Sequence, residues 1–86
     1  MVATFDFKIV PKPIPAREHV WTLEKDRNSL RAEILSHGKL GWEMQVFNGD
    51  KLVYGHRWNL RESAWDDALA TRRTLVLEGW RDVAPI

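Results

Sequence analysis

The sequence predicts an α+β fold: a four-stranded antiparallel meander packed on one C-terminal helix, preceded by an extended N-terminal arm. Three observations predict it. Asn48-Gly49-Asp50 stands between two alternating runs, 42–47 and 52–58, a strong hairpin signal because Asn and Gly tolerate positive φ. Directly after that hairpin the apolar residues switch from a period of two to helical spacing, from Leu60 towards Glu78. Upstream, Trp21 and Leu23, then Leu30, Ala32 and Ile34, alternate with polar residues on either side of a short charged turn.

In chain order, residues 1–16 read as the arm and residues 17–86 as a single domain. Phe5, Phe7 and Ile9 alternate with Asp6 and Lys8, a short strand pattern. Pro11, Pro13 and Pro15 then fix φ and remove donors, which makes an extended spacer. A strand cut off in this way folds back on its own domain, pairs with another chain, or frays as a terminus. Residues 19–24 form the first strand of the body, with Trp21 and Leu23 inward, and residues 25–29 form the turn. Leu30, Ala32 and Ile34 alternate with Arg31 and Glu33 in the second strand, which has one wet face. Residues 36–41, with two glycines, lead to the hairpin. A three-residue loop there pairs Val46 with Leu52, Met44 with Tyr54 and Trp42 with His56, and it carries Trp58 on the same face. A two-residue loop at 48–49 mixes polar with apolar partners, so the three-residue loop is expected.

The helix is expected to start at Asn59 as cap, with Glu62 completing a capping box. Glu62, Asp66 and Asp67 early and Arg72 and Arg73 late suit the helix dipole. Leu60, Ala64, Ala68, Thr71 and Leu75 share one face, widened by Trp65, Leu69 and Val76, and Gly79 is the stop. Ala64 and Ala68 allow close approach, with Trp42, Met44 and Tyr54 largely buried beneath. The opposite sheet face is left to carry Thr22, Arg31, Glu33, Leu35, Glu43, Gln45, Phe47, Val53 and Arg57. Leu35, Phe47 and Val53 are its apolar members, a candidate partner surface if they adjoin.

Composition narrows the function classes. With 13 Lys+Arg against 12 Asp+Glu the net charge is +1, which argues against a strongly basic nucleic-acid binder. The absence of cysteine excludes a disulfide framework, Cys-ligated zinc and a thiol nucleophile. Asp6 and Lys8 interrupt any signal-peptide core, and no run approaches the ~20 apolar residues of a membrane span, so a soluble cytoplasmic protein is expected. Five Trp and three Phe supply the bulk of a small core.

Catalytic patterns are sparse. His19, His37 and His56 lie on different segments without the short spacing of metal ligands. Ser63 has no glycine-flanked elbow around it, and Glu62 with Asp66 reads as an acidic helix start rather than a glycosidase pair. Gly38 and Gly41 do not precede a helix as phosphate loops do. A chain this small is not expected to build a cleft of several hundred Å³ by itself. The reading is therefore not an enzyme, with no cofactor, no metal and no small-molecule substrate.

The stretch from about residue 30 to 70 runs through three strands into a helix. Trp42 opens one strand, Gly55 and Trp58 close the next, and Ala64 and Ala68 lie in the helix. This resembles the plant-type AP2 domain and related phage-integrase arm domains. The resemblance implies an outer sheet face laid in the DNA major groove, with Arg31 and Arg57 as its contacts here. Those domains present mostly arginines on that face, whereas this chain sets Glu33, Glu43 and Gln45 beside Arg31 and Arg57, leaving little positive field for phosphates. The general plan also resembles small uncharacterised bacterial proteins, a likeness that implies no function. The expectation is a non-enzymatic interaction or self-assembly module. It forms a homodimer through Phe5, Phe7 and Ile9 of the arm or through Leu35, Phe47 and Val53 of the sheet face. Sheet-face DNA binding is the alternative.

Overall fold

The computed structural model describes residues 16–83. The expected arm strand at Phe5, Phe7 and Ile9, and the proline spacer, lie outside the described residues. The meander is present as β1 (Arg17–Lys25), β2 (Asn28–Ser36), β3 (Trp42–Asn48) and β4 (Lys51–Trp58), followed by α1 (Arg61–Leu77). After the helix, β5 (Arg81–Asp82) returns to pair antiparallel with β1, so the sheet runs β4-β3-β2-β1-β5. This fifth strand adds to the four expected. Two charged residues carry no alternating apolar signal, so the sequence pattern does not reveal it.

The turn chemistry explains the first hairpin. Lys25 faces Asn28 across Asp26 and Arg27, whose φ angles are 50° and 70°, as a two-residue type I′ loop requires. Further along, the β1–β2 ladder shifts between His19 and Trp21, leaving Val20 as an extra residue. That bulge changes which side chains face the helix. Glu18 lies opposite the fully buried Ile34 and therefore on the helix side, as do Trp21 and Leu23, while Arg17 and His19 stand on the outer face.

The β3–β4 hairpin corrects the expected loop. Asn48 pairs with Lys51 and Phe47 with Leu52, so the loop is Gly49-Asp50 alone. Gly49 takes φ +62°, the left-handed conformation a two-residue loop with Gly in first place needs. The ladder then shifts at Val53, after which Val46 pairs with Tyr54, Met44 with His56 and Trp42 with Trp58. The bulge restores the apolar alternation that a tight loop alone disrupts. Tyr54, His56 and Trp58 thus keep the expected face with partners displaced by two residues, while Leu52 moves to the outer face.

The helix closes the other layer. Leu60, not Asn59, is the N-cap, in extended conformation with no side-chain cap bond, so the expected capping box is absent and Glu62 serves only as a first-turn acid. At the other end the Gly79 stop is as expected. Trp80 N–H donates to Leu75 O and Gly79 N–H to Val76 O, with Gly79 at φ +102°, a Schellman termination. Lys25 Nζ donates to Glu78 O at 2.6 Å, tying the helix end to the first turn. Ala64 and Ala68 are fully buried, which brings α1 close to Trp21, Leu23, Ala32, Ile34, Met44 and Val46. Trp21 Nε1 donates to Ala68 O at 2.7 Å, so the largest core side chain also meets its polar need. All six of these sheet residues belong to β1, β2 or β3. The helix meets β4 at Trp58, whose Nε1 donates to Asp67 Oδ2 at 2.9 Å, but Tyr54 is 45% exposed rather than buried, with Trp42 half-buried. Leu60, Leu69 and Val76, expected on the packed face, are exposed, while Leu75 packs on the core.

Candidate interaction surface

The outer face of the sheet is built around a polar centre. Gln45 on β3 is 8% exposed although no second layer among the described residues covers it. Its neighbours do so. Arg17 Nη1 donates to Gln45 Oε1 at 2.9 Å and to Glu33 Oε1 at 2.6 Å, and Arg31 Nε donates to Glu33 Oε2 at 2.8 Å. Burial pushes the Glu33 carboxyl up, but the hydrogen bonds from Arg17 and Arg31 outweigh it and hold the group below the usual glutamate range. Both guanidinium groups also cover Phe47, with Arg31 at 4.6 Å and Arg17 at 5.9 Å from the ring centroid.

The sequence-derived surface residues fall as follows. Leu35 lies opposite Arg17 and Glu43, and Phe47 opposite Arg31 and Leu52, with the Glu33–Gln45 pair between them. Val53 is the extra residue of the β4 bulge and stands half in water. The three do not form one contiguous row. Of the two arginines, Arg31 is engaged by Glu33 and also donates to Gly49 O at 3.2 Å, and Arg57 faces Glu43 and donates to Leu40 O at 3.5 Å. A phosphate would have to displace these protein acceptors. Phe5, Phe7 and Ile9 lie outside the described residues.

The histidines are dispersed. His19 Nε2 meets Thr22 Oγ1 at 2.8 Å, His37 Nε2 meets Glu43 Oε1 at 2.8 Å, and His56 stacks on Trp58 at 4.5 Å between centroids. Among the described residues no three His, Asp or Glu side chains are grouped so as to hold a metal ion, and no helix is long and apolar enough to cross a membrane.

The sheet edges are the more open features. β4 is exposed along 51–57, including Leu52, Val53 and Tyr54. It carries Lys51, Arg57 and the bulge at Val53, devices that blunt an edge against strand addition. The opposite edge differs. β5 pairs with β1 at Leu23 and Glu24, and Val83 N–H reaches Thr22 O at 3.1 Å. Beyond that point no described residue pairs with the outer edge of β1 at residues 17–21.

Beside this open stretch lies a cleft of about 510 Å³, lined by Val20, Trp21, Leu69 and Val83 among others. Its existence corrects the expectation that so small a chain builds none. The helix row above is Arg61, Trp65 and Leu69, one turn apart each. Arg61 donates to Glu18 at 2.8 Å from Nε, and that hydrogen bond draws the Glu18 carboxyl below its usual range against the opposing effect of burial. Sequence reasoning missed Arg17 and Val20, because their roles depend on the Val20 bulge and on pairings across the sheet, whereas Trp65 packs against the core on the helix face expected of it. Comparison with protein-family models, with curated proteins and with solved structures found no match.

Proposed function

We propose that the domain is a non-enzymatic interaction module that assembles with a second copy of itself through its sheet. The observation that supports this reading is the state of the sheet edges. β4 along its whole length and β1 over residues 17–21 offer backbone groups with no partner among the described residues, each beside exposed apolar side chains. Unpaired edges are templates for adding another strand; each here also carries charged residues and a bulge, which confine where a strand can add. The outer face supports the same choice over DNA binding, because its arginines are already engaged with Glu33, Gln45 and backbone carbonyls.

Light scattering on the full chain, from low to high micromolar concentration, tests the reading. A mass of about twice 10.1 kDa is expected. A monomer throughout the range rejects self-assembly. Tight, steeply salt-dependent retention on duplex DNA by a monomer replaces it with the sheet-face DNA reading.

A further inference from the structure

We propose that the open stretch of the β1 edge, at residues 17–21, is the seat for residues 5–9 of a second copy of this chain, added as a strand below Trp65 and Leu69. The proposal rests on the self-assembly reading and names its contact. Three features of the seat converge. The edge is covered by β5 only from Leu23 onward, so its remaining backbone groups have no partner among the described residues. The cleft alongside has Val20, Trp21, Leu69 and Val83 on its walls, with His19, Thr22 and the Arg72–Asp82 ion pair at its polar part, and Leu69 is 40% exposed. Above it, the Trp65 indole N–H is shut away from water without an acceptor among the described residues. Buried donors are met in native proteins, so this orphan marks the row as a place where the packing is incomplete.

The occupant follows from the chain outside the described residues. Fifteen residues precede Ala16. Pro11, Pro13 and Pro15 have no N–H to give to a ladder, whereas residues 5–9 keep every donor and place Phe5, Phe7 and Ile9 on one face. Five residues also match the five open positions. Pro85 likewise has no N–H to give to a ladder. Return of residues 5–9 to their own β1 would require the proline-studded stretch 10–16 to double back across one strand spacing. That composition favours extension instead, and so a neighbouring molecule. Reciprocal exchange of a terminal strand closes a two-fold dimer.

Two full-length variants test the contact, Phe7→Asp in the added strand and Leu69→Asp in the seat. Leu69 is exposed, and an unchanged far-ultraviolet circular-dichroism spectrum with a cooperative melt verifies that each variant folds. The full chain is expected to be a dimer by light scattering and each variant a monomer. An equimolar mixture of the two variants recovers dimer mass, since one partner keeps the seat and the other keeps the strand. Hydrogen exchange at the outward-facing backbone amides of residues 17–21 is expected to be at least tenfold faster in each variant alone. Dimers that persist in both variants overturn this contact and leave self-assembly through β4 standing. A monomeric full chain whose protection at the amides of residues 17–21 is lost in Phe7→Asp places the segment on its own β1 and overturns the exchange. A monomer indifferent to both changes overturns this inference and the self-assembly reading together.

Discussion

The two strands of the second hairpin have similar compositions and opposite fates. β3 reads Trp-Glu-Met-Gln-Val-Phe-Asn and β4 reads Lys-Leu-Val-Tyr-Gly-His-Arg-Trp, each with large apolar side chains on alternate positions. In β3, Met44 and Val46 are core and even Gln45 is closed off from water, whereas every β4 residue from Lys51 to Arg57 is exposed. Position in the sheet makes the difference. β3 is flanked on both sides and lies under α1, while β4 is an edge strand that meets the helix through Trp58, whose Nε1 donates to Asp67 Oδ2 at 2.9 Å. Alternation therefore says which side chains share a face, and only the placement of the second layer says which of them are buried.

The largest test of this contrast is a matched pair of truncations. Met44→Ala removes a fully buried side chain beneath the helix and is expected to cost about 2–5 kcal/mol. Tyr54→Ala on the neighbouring strand is expected to cost about 1 kcal/mol. Urea denaturation of the two variants reads both values. Equal losses would mean that Tyr54 is enclosed as Met44 is, and that its exposure is not a property of the protein in solution.

This contrast also marks how far the sequence could be read. The strand faces, the Asp26-containing turn, the Ala64–Ala68 approach and the Gly79 stop were legible because each depends on local chemistry or strict periodicity. Three features were not. The hairpin register depends on a bulge at Val53, and nothing in an apolar run distinguishes a tight loop with a bulge from a longer loop without one. β5 consists of two charged residues placed by the helix end rather than by their own pattern. The Val20 bulge moves Glu18 to the helix side and Arg17 to the outer face, so both ion pairs at these residues join positions at least 16 apart in sequence. Of the candidate surface, the sequence pointed to Phe47 and Arg31 individually. Their joint enclosure with Arg17 around Glu33 and Gln45 is a tertiary result.

A smaller effect sharpens the hairpin assignment. Gly49 holds φ +62° with open space around its missing Cβ, so the penalty of a side chain there is conformational and not steric. Gly49→Val is expected to destabilise by about 1 kcal/mol or more, because a β-branched residue is poorly suited to the left-handed region. A thermal melt unchanged by this substitution would reject the Gly49-Asp50 loop and with it the displaced pairing of β4.

The smallest expected effect separates the enclosed centre of β2 and β3 from the open β4 by pH. Glu33 and Glu18 both titrate below the ordinary glutamate value in the folded protein. For Glu33 the arginine hydrogen bonds outweigh burial, and for Glu18 the Arg61 hydrogen bond is the leading cause. A carboxylate whose folded value is depressed contributes stability at neutral pH, above its unfolded value near pH ~4.3. That contribution is lost as pH falls below the unfolded value and through the lower folded one. The sign follows from proton uptake: in this window the unfolded chain binds more protons than the folded chain, so acid favours unfolding. Urea midpoints are therefore expected to fall from pH 5 to pH 3, and Glu33→Gln should flatten that fall while lowering the midpoint at pH 7. The acid sensitivity is thus assigned to the paired carboxylates Glu18 and Glu33 of β1 and β2. If Glu33→Gln keeps the full acid slope of the parent chain, the Arg17–Glu33–Arg31 cluster makes no net contribution to folding and Gln45 is enclosed by packing alone.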